Sequence, residues 1–210
     1  MSIALPGRSA TMTLVQTEDR ITMADQEQDH DSDLDKIFEC VERATPDGFR
    51  SEIVEGYVYM SPQREAHWRI IRRLVRALED AHGLDVLVLS NVRIDFPGEG
   101  NAFAPDVAKL RKGAEPVDGR WHHQDVEFVA EVISRGTGQN DYGPKKTAYA
   151  TAEVPVYLVA DPYQRRCHVY TEPRDGEYRA ETIVEFGLDL DLSKTPAALV
   201  LTTKDFPEQP

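Results

Sequence analysis

The run Val126-Glu127-Phe128-Val129-Ala130-Glu131-Val132-Ile133 constrains the fold more than any other part of the sequence. Its near-continuous apolar character marks a strand covered on both faces, which requires a layer of structure above it and another below. The run nevertheless carries Glu131 between Ala130 and Val132. Burying an isolated carboxylate is expensive, so Glu131 must be given an ion pair, a hydrogen bond or a metal. A second run, Pro155-Val156-Tyr157-Leu158-Val159-Ala160-Asp161-Pro162, reads as another buried strand closed by a turn.

The segments around these strands alternate in period. Leu34, Ile37, Phe38 and Val41 recur at helical spacing with Asp33 as the N-cap, and Thr45-Pro46-Asp47-Gly48 stops that helix. Residues 50–60 form two short strand-like runs around Glu55-Gly56, a hairpin ended by Ser61-Pro62. The clearest helix spans 64–81, with Ile70, Ile71, Leu74, Val75 and Leu78 on one face and Arg69, Arg72, Arg73 and Arg76 on the other. Strand-like runs follow at 85–89, 91–96 and 104–110, then a polar loop at 111–124 and the central strand. After Gly136-Thr137-Gly138, Asp141 caps a helix running to about Ala152, and strands at 166–170, 178–182 and 183–186 complete the pattern. The expectation is an α/β (α+β) fold, a central mixed sheet flanked by a few helices. Residues 33–192 form its one domain, with a flexible acidic tail over 1–32 and a C-terminal extension over 193–210.

Charge narrows the function classes. The 210 residues carry 24 Lys and Arg against 37 Asp and Glu, a net charge of -13 that repels nucleic acid as a global field. Much of the imbalance is local, because residues 1–35 hold only Arg8 and Arg20 against Glu18, Asp19, Asp25, Glu27, Asp29, Asp31, Asp33 and Asp35. Cys40 and Cys167 lie far apart and outside any C-x-x-C pattern, which gives neither a disulfide framework nor a thiolate zinc site. No apolar run approaches the length of a membrane-spanning helix, and the opening residues lack a basic leader followed by an apolar stretch, so a cytoplasmic protein is expected.

Two acids stand in apolar strand contexts, Asp106 after Pro105 and Glu131. Either alone could be a structural ion pair or a strand-end position facing solvent; together they suggest a site. Asp141, Lys145 and Tyr149 follow at i, i+4 and i+8 and share a helix face, although an N-cap with a solvated Asp-Lys pair explains that spacing equally. The arginines of the 69–76 helix suit phosphate contact or simply a charged solvent face. Trp121-His122-His123 gives no zinc site, since adjacent strand histidines point to opposite sides. The standard P-loop, G-x-G-x-x-G, G-x-S-x-G and H-E-x-x-H motifs are missing from the sequence.

Taken in order, Pro105-Asp106, Glu131-Val132-Ile133-Ser134, Thr137, Asp141, Lys145, Tyr149 and Val154–Pro162 resemble the Uma-two putative restriction endonuclease family of the PD-(D/E)XK nuclease superfamily. Glu55-Gly56, Met60-Ser61-Pro62 and His67 resemble its hairpin and first long helix, and the resemblance spans roughly residues 34–190. It implies a restriction-endonuclease-like core and a Mg (or Mn) dependent endonuclease that hydrolyses DNA phosphodiester bonds. Asp106 and Glu131 would be metal ligands, with the Ile133 carbonyl as a further one. Lys145 would position the attacking water, and Glu55, His67, Asp141 and Tyr149 would support the site. The superfamily's Glu-x-Lys element would place lysine at 133, where this chain has Ile133, and Lys145 is the position that matches the relocated lysine. The resemblance also implies a DNA partner and a homodimer, since cutting two strands takes two sites. The alternatives are a nuclease-fold binding or regulatory module without catalysis, and a hydrolase of small phosphoesters.

Overall fold

The computed structural model describes residues 23–62, 64–98 and 100–208, with side chains from residue 33 onward. Residues 1–22 of the expected tail lie outside the described residues. In chain order the elements are α1 (Met23–Ala44), β1 (Phe49–Val54), β2 (Tyr57–Pro62), α2 (Glu65–His82), β3 (Val88–Leu89), β4 (Ile94–Asp95), β5 (Ala102–Phe103), β6 (Val107–Leu110), β7 (Trp121–His122), a 3-10 turn (His123–Asp125) and β8 (Val126–Val132). There follow α3 (Gly138–Tyr142), α4 (Pro144–Thr151), β9 (Val156–Asp161), β10 (Arg166–Arg174), β11 (Glu177–Glu185), β12 (Asp189–Asp191) and β13 (Val200–Thr202). The result is a mixed α/β fold.

The strands form a five-stranded sheet in the order β2-β1-β5-β4-β7, a six-stranded sheet in the order β11-β10-β9-β8-β6-β3, and the β12-β13 pair. As the sequence suggests, β8 is interior to the larger sheet, antiparallel to β6 and parallel to β9. A parallel neighbour cannot be reached through a tight turn, and here α3 and α4 make the crossover.

Alternation along β8 divides the core. Phe128, Ala130 and Val132 join Ile70, Ile71, Leu74 and Leu78 of α2 in one cluster, while Val129 and Ile133 join Phe103, Tyr149 and Tyr157 in another. Glu131 shares the parity of Val129 and Ile133, so its side chain enters the second cluster. The chain then crosses from the smaller sheet to the larger between β5 and β6, through buried Ala104, Pro105 and Asp106.

Several boundaries differ from the sequence reading: the strands expected at 178–182 and 183–186 are the single β11, and those expected at 85–89 and 91–96 shrink to β3 and β4. α1 starts at Met23 rather than Asp33, its added turns containing the good helix formers Ala24, Gln26, Glu27 and Gln28. The expected single helix at 141–152 is two helices, and Asp141 lies inside α3 instead of capping it. The break falls at Gly143 (φ -118, ψ -104), because Pro144 lacks an N–H and disfavours helical geometry in the residue before it, while being well suited to open α4. At the C-terminus, Ala197, Leu199, Leu201 and Phe206 pack into the α2 cluster, so residues 197–206 are part of the domain core and not an appended extension. Among the described residues no helix is long and apolar enough to cross a membrane.

The β1–β2 hairpin closes through Glu55 (φ 50) and Gly56 (φ 76), the positive-φ pair of a tight two-residue turn. The turn rests on Gly100, whose carbonyl accepts the Gly56 N–H at 3.1 Å. Gly100 has φ +67, and a Cβ there would lie 2.7 Å from the Gly56 nitrogen. Gly100→Ala is therefore expected to destabilise the fold by about 1–3 kcal/mol, read as a lower midpoint in urea unfolding; an unchanged midpoint would contradict this packing.

Candidate active site

Each flanking element delivers one or two ionisable side chains to the gap between the sheets. Arg50 and Glu52 are two apart on β1 and share a face, which sends both inward. Asp106 arrives from the β5–β6 crossing, Glu131 from β8, His67 from the first turn of α2, and Asp141, Lys145 and Tyr149 from α3 and α4. Asp106, Glu131, Lys145 and Tyr149 are essentially closed to solvent.

These groups bond one another in a continuous network. Asp106 pairs with the Arg50 guanidinium, and its Oδ2 lies 2.8 Å from His67 Nε2 and accepts the Val132 N–H at 2.7 Å. The Asp106 N–H donates to Glu131 Oε2 at 3.3 Å, so the two acids are direct neighbours. Lys145 Nζ lies 2.6 Å from Glu131, 3.1 Å from Glu52 and 3.2 Å from Asp141. The Tyr149 hydroxyl donates to Glu131 Oε1 at 2.7 Å. Arg50 also reaches Glu52 at 3.2 Å and Glu131 at 3.8 Å.

The structure thus gathers Asp106, Glu131, Lys145, His67, Asp141 and Tyr149 of the sequence-selected residues. Asp141 and Lys145 meet despite the helix break, and Lys146 turns away to lie 4.8 Å over the Tyr170 ring. Glu55 is not gathered: it is exposed in the hairpin turn, its backbone N–H bonded to Asn101 Oδ1 at 3.0 Å. The hairpin's carboxylate at the site is Glu52, because only the strand positions before the turn face the gap. Ile133 is buried with its N–H bonded to the Ala160 carbonyl at 2.9 Å, and its side chain packs so closely on Gly138 that a Cβ at 138 would lie 2.9 Å from Ile133 Cγ2. Arg50 and Glu52 were missed, although opposite charges two apart in a strand that ends Ile53-Val54 are the signature of a buried same-face pair.

Burial and mutual charge set the protonation states. Burial works to raise Asp106, but Arg50, then the His67 hydrogen bond, outweigh it and hold its carboxyl well below the usual range. Glu52 is likewise lowered, because Arg50 and Lys145 overcome its burial. Glu131 goes the other way: burial, together with the nearby Glu52 and Asp106 charges, pushes it up to about 8 against the pull of Lys145. Asp141 rises to about 6, mainly through burial. Burial would lower Lys145, yet Glu131, Glu52 and Asp141 raise it, which holds this side chain as an ammonium.

Hard carboxylate oxygens suit a divalent cation such as Mg2+, which commonly takes one or two protein carboxylates and completes its shell with water. Among the described residues no three His, Cys, Asp or Glu side chains are arranged to hold an ion by themselves, so the site offers a carboxylate pair and not a closed protein cage. The charge balance fits such an ion. Glu52, Asp106, Glu131 and Asp141 outnumber the fixed cations Arg50 and Lys145 by two, the charge of one divalent ion once all four carboxyls are ionised.

The raised Glu131 value has a thermodynamic consequence. The unfolded chain releases that proton near 4.5 and the folded chain near 8, so folding takes up protons across this window and stability declines as pH rises through it. Asp141 acts in the same sense between 3.8 and about 6, whereas the depressed Asp106 contributes stability that is lost only as pH falls below 3.8. In chelator, the melting temperature is expected to fall on the order of 5 °C from pH 5 to pH 8, and Glu131→Gln to flatten that slope. A melting temperature that rises over the same range would contradict the assignment.

Comparison with known proteins agrees with this architecture. No curated protein matches the chain. Among solved structures, one described as a "putative nuclease belonging to DUF820 from Anabaena variabilis ATCC 29413" superposes with a TM-score of 0.62 over 82% of this chain and 96% of that one, at 17% identity. That likeness establishes a shared fold. The family model "Uma2: Putative restriction endonuclease" matches residues 37–204, which include every gathered side chain, and the chain belongs to that family.

Proposed function

We propose that the protein is a divalent-metal-dependent endonuclease that hydrolyses DNA phosphodiester bonds with water as the nucleophile. The observation that carries this reading is the convergence of Asp106, Glu131 and the Lys145 ammonium, from three different elements, on one buried point. Family membership and the nuclease described for the structural neighbour support it.

In this reading Asp106 and Glu131 hold Mg2+ or Mn2+, with the Ile133 carbonyl as a further candidate ligand. A divalent cation bound there supplies a lowered water pKa and neutralisation of charge developing on the phosphate. The chain's own groups do the rest. Lys145 donates hydrogen bonds toward the attacked phosphate and its water, and the low dielectric around Tyr149, Phe103 and Tyr157 strengthens that interaction. Glu52 and Asp141 orient the Lys145 ammonium, while the Tyr149 hydroxyl and His67 fix the rotamers of Glu131 and Asp106. A duplex break needs two such sites, so a symmetric pair of chains belongs to this reading.

One feature favours the rival reading of a non-catalytic module: Arg50 already pairs with Asp106, Glu52 and Glu131. For the nuclease, the guanidinium must give way when a metal enters. Arg50→Gln should then let Mn2+ raise the melting temperature more than it does in wild type, by about 5 °C or more, whereas a purely structural cluster shows no such gain.

The direct test is cleavage of plasmid and single-stranded DNA with Mg2+ or Mn2+. Asp106→Asn and Lys145→Met are expected to lower the rate by at least about a thousandfold, with folding checked by circular dichroism because an uncompensated buried charge costs roughly 3–5 kcal/mol. Cleavage undiminished in either folded variant would overturn the assignment.

A further inference from the structure

A narrow cavity leads from the surface to the buried acids, lined by Arg50, Ser61, His67, Trp68, Asn91 and Asp106. Trp68 stands at this passage with 55% of its surface exposed, although it directly follows His67, which is bonded to Asp106. A single exposed aromatic needs no explanation by itself. Its neighbours change that: Arg72 lies one turn further along α2, and Arg64, the extended residue at the helix N-cap, accepts the Trp68 N–H at its carbonyl at 3.0 Å, so an arginine flanks Trp68 on each side along the chain. Arg73 and Arg76 are committed to Asp205 and Asp80, but Arg64, Arg69 and Arg72 have no ion-pair partner among the described residues. An exposed indole flanked by arginines that no acid neutralises offers a flat apolar face and cationic groups side by side, the pairing that an anionic ligand with a planar group requires.

We propose that Trp68 and its flanking arginines bind a single-stranded segment of DNA, with an unpaired base stacked on Trp68 and the flanking phosphates on Arg64 and Arg72. The inference rests on the nuclease reading and deepens it by naming the substrate class. Stacking on an exposed ring is available to a base freed from its duplex and is denied to one already stacked between neighbours, while the arginines neutralise the backbone irrespective of sequence. The same stacked base would hold the adjoining phosphodiester at the mouth of the passage to Asp106.

The test is fluorescence anisotropy of a labelled oligonucleotide of roughly 12 nucleotides and of its duplex, with the full chain in chelator so that no cleavage intervenes. Wild type is expected to bind the single strand at least about tenfold more tightly than the duplex. Trp68→Ala should weaken single-strand binding about tenfold, Trp68→Phe much less, and neither should change duplex binding. Arg64→Ala combined with Arg72→Ala should reduce the salt dependence of binding. Single-strand binding that is undetectable in wild type, unchanged in Trp68→Ala, or weakened there equally with duplex binding would overturn the proposal. Metal-dependent cleavage of duplex DNA with no Trp68 dependence would overturn it while leaving the nuclease reading intact.

Discussion

Lys145 reaches from α4 into the gap between the two sheets, where its ammonium is within 3.2 Å of Glu131, Glu52 and Asp141. Without it, three carboxylates would face one another in a space closed to water, a state that costs far more than the net stability of a domain this size allows. Arg50 performs the same service for Asp106. The surrounding architecture follows from that requirement. β1 must lie close enough to bring Arg50 and Glu52, the β5–β6 crossing must present Asp106 beside Glu131, and the β8–β9 crossover must be helical to carry Lys145 and Tyr149 back over the strand. The site is consequently a junction between sheets, and the tolerance of its charges depends on all of its members being present.

The part of this arrangement legible in the sequence is the part governed by local pattern. A near-continuous apolar strand with one acid in it identifies Glu131 as a buried carboxylate, and Pro105-Asp106 gives its partner by similar logic. Spacing puts Lys145 on one face with Asp141 but does not distinguish it from a solvated pair; only the family resemblance singles it out, and its contact with Asp141 is kept across the break at Gly143. The hairpin shows the limit. Glu55 stands beside a turn glycine and attracts attention, yet positive φ at both turn residues takes its side chain out to solvent. Which hairpin acid faces inward depends on strand parity relative to a second sheet, a tertiary fact that local pattern does not contain. The C-terminal residues were obscure for a related reason: Leu199, Leu201 and Phe206 complete the core beneath α2, but they are too sparse to show a period.

Charge behaves differently at the two scales. The chain is acidic as a whole, which argues against a protein that coats nucleic acid. Arg69 and Arg72, without an ion-pair partner among the described residues, lie on the helix that also carries His67 and Trp68, with Arg64 at its N-cap, beside Asp106, whose carboxyl is held well below its ordinary range. In the proposed reading an anionic substrate is repelled by the acidic surface and met by cations beside Trp68, a distribution that favours selectivity over affinity.

The most direct measurement of the central claim is a calorimetric titration of Mn2+ into the metal-free wild-type chain and into Asp106→Asn. The account predicts one Mn2+ per chain for wild type, with release of most of a proton near pH 7 as binding ionises Glu131, and loss of that binding in Asp106→Asn. Equal Mn2+ binding by the two proteins, or none by either, would contradict it.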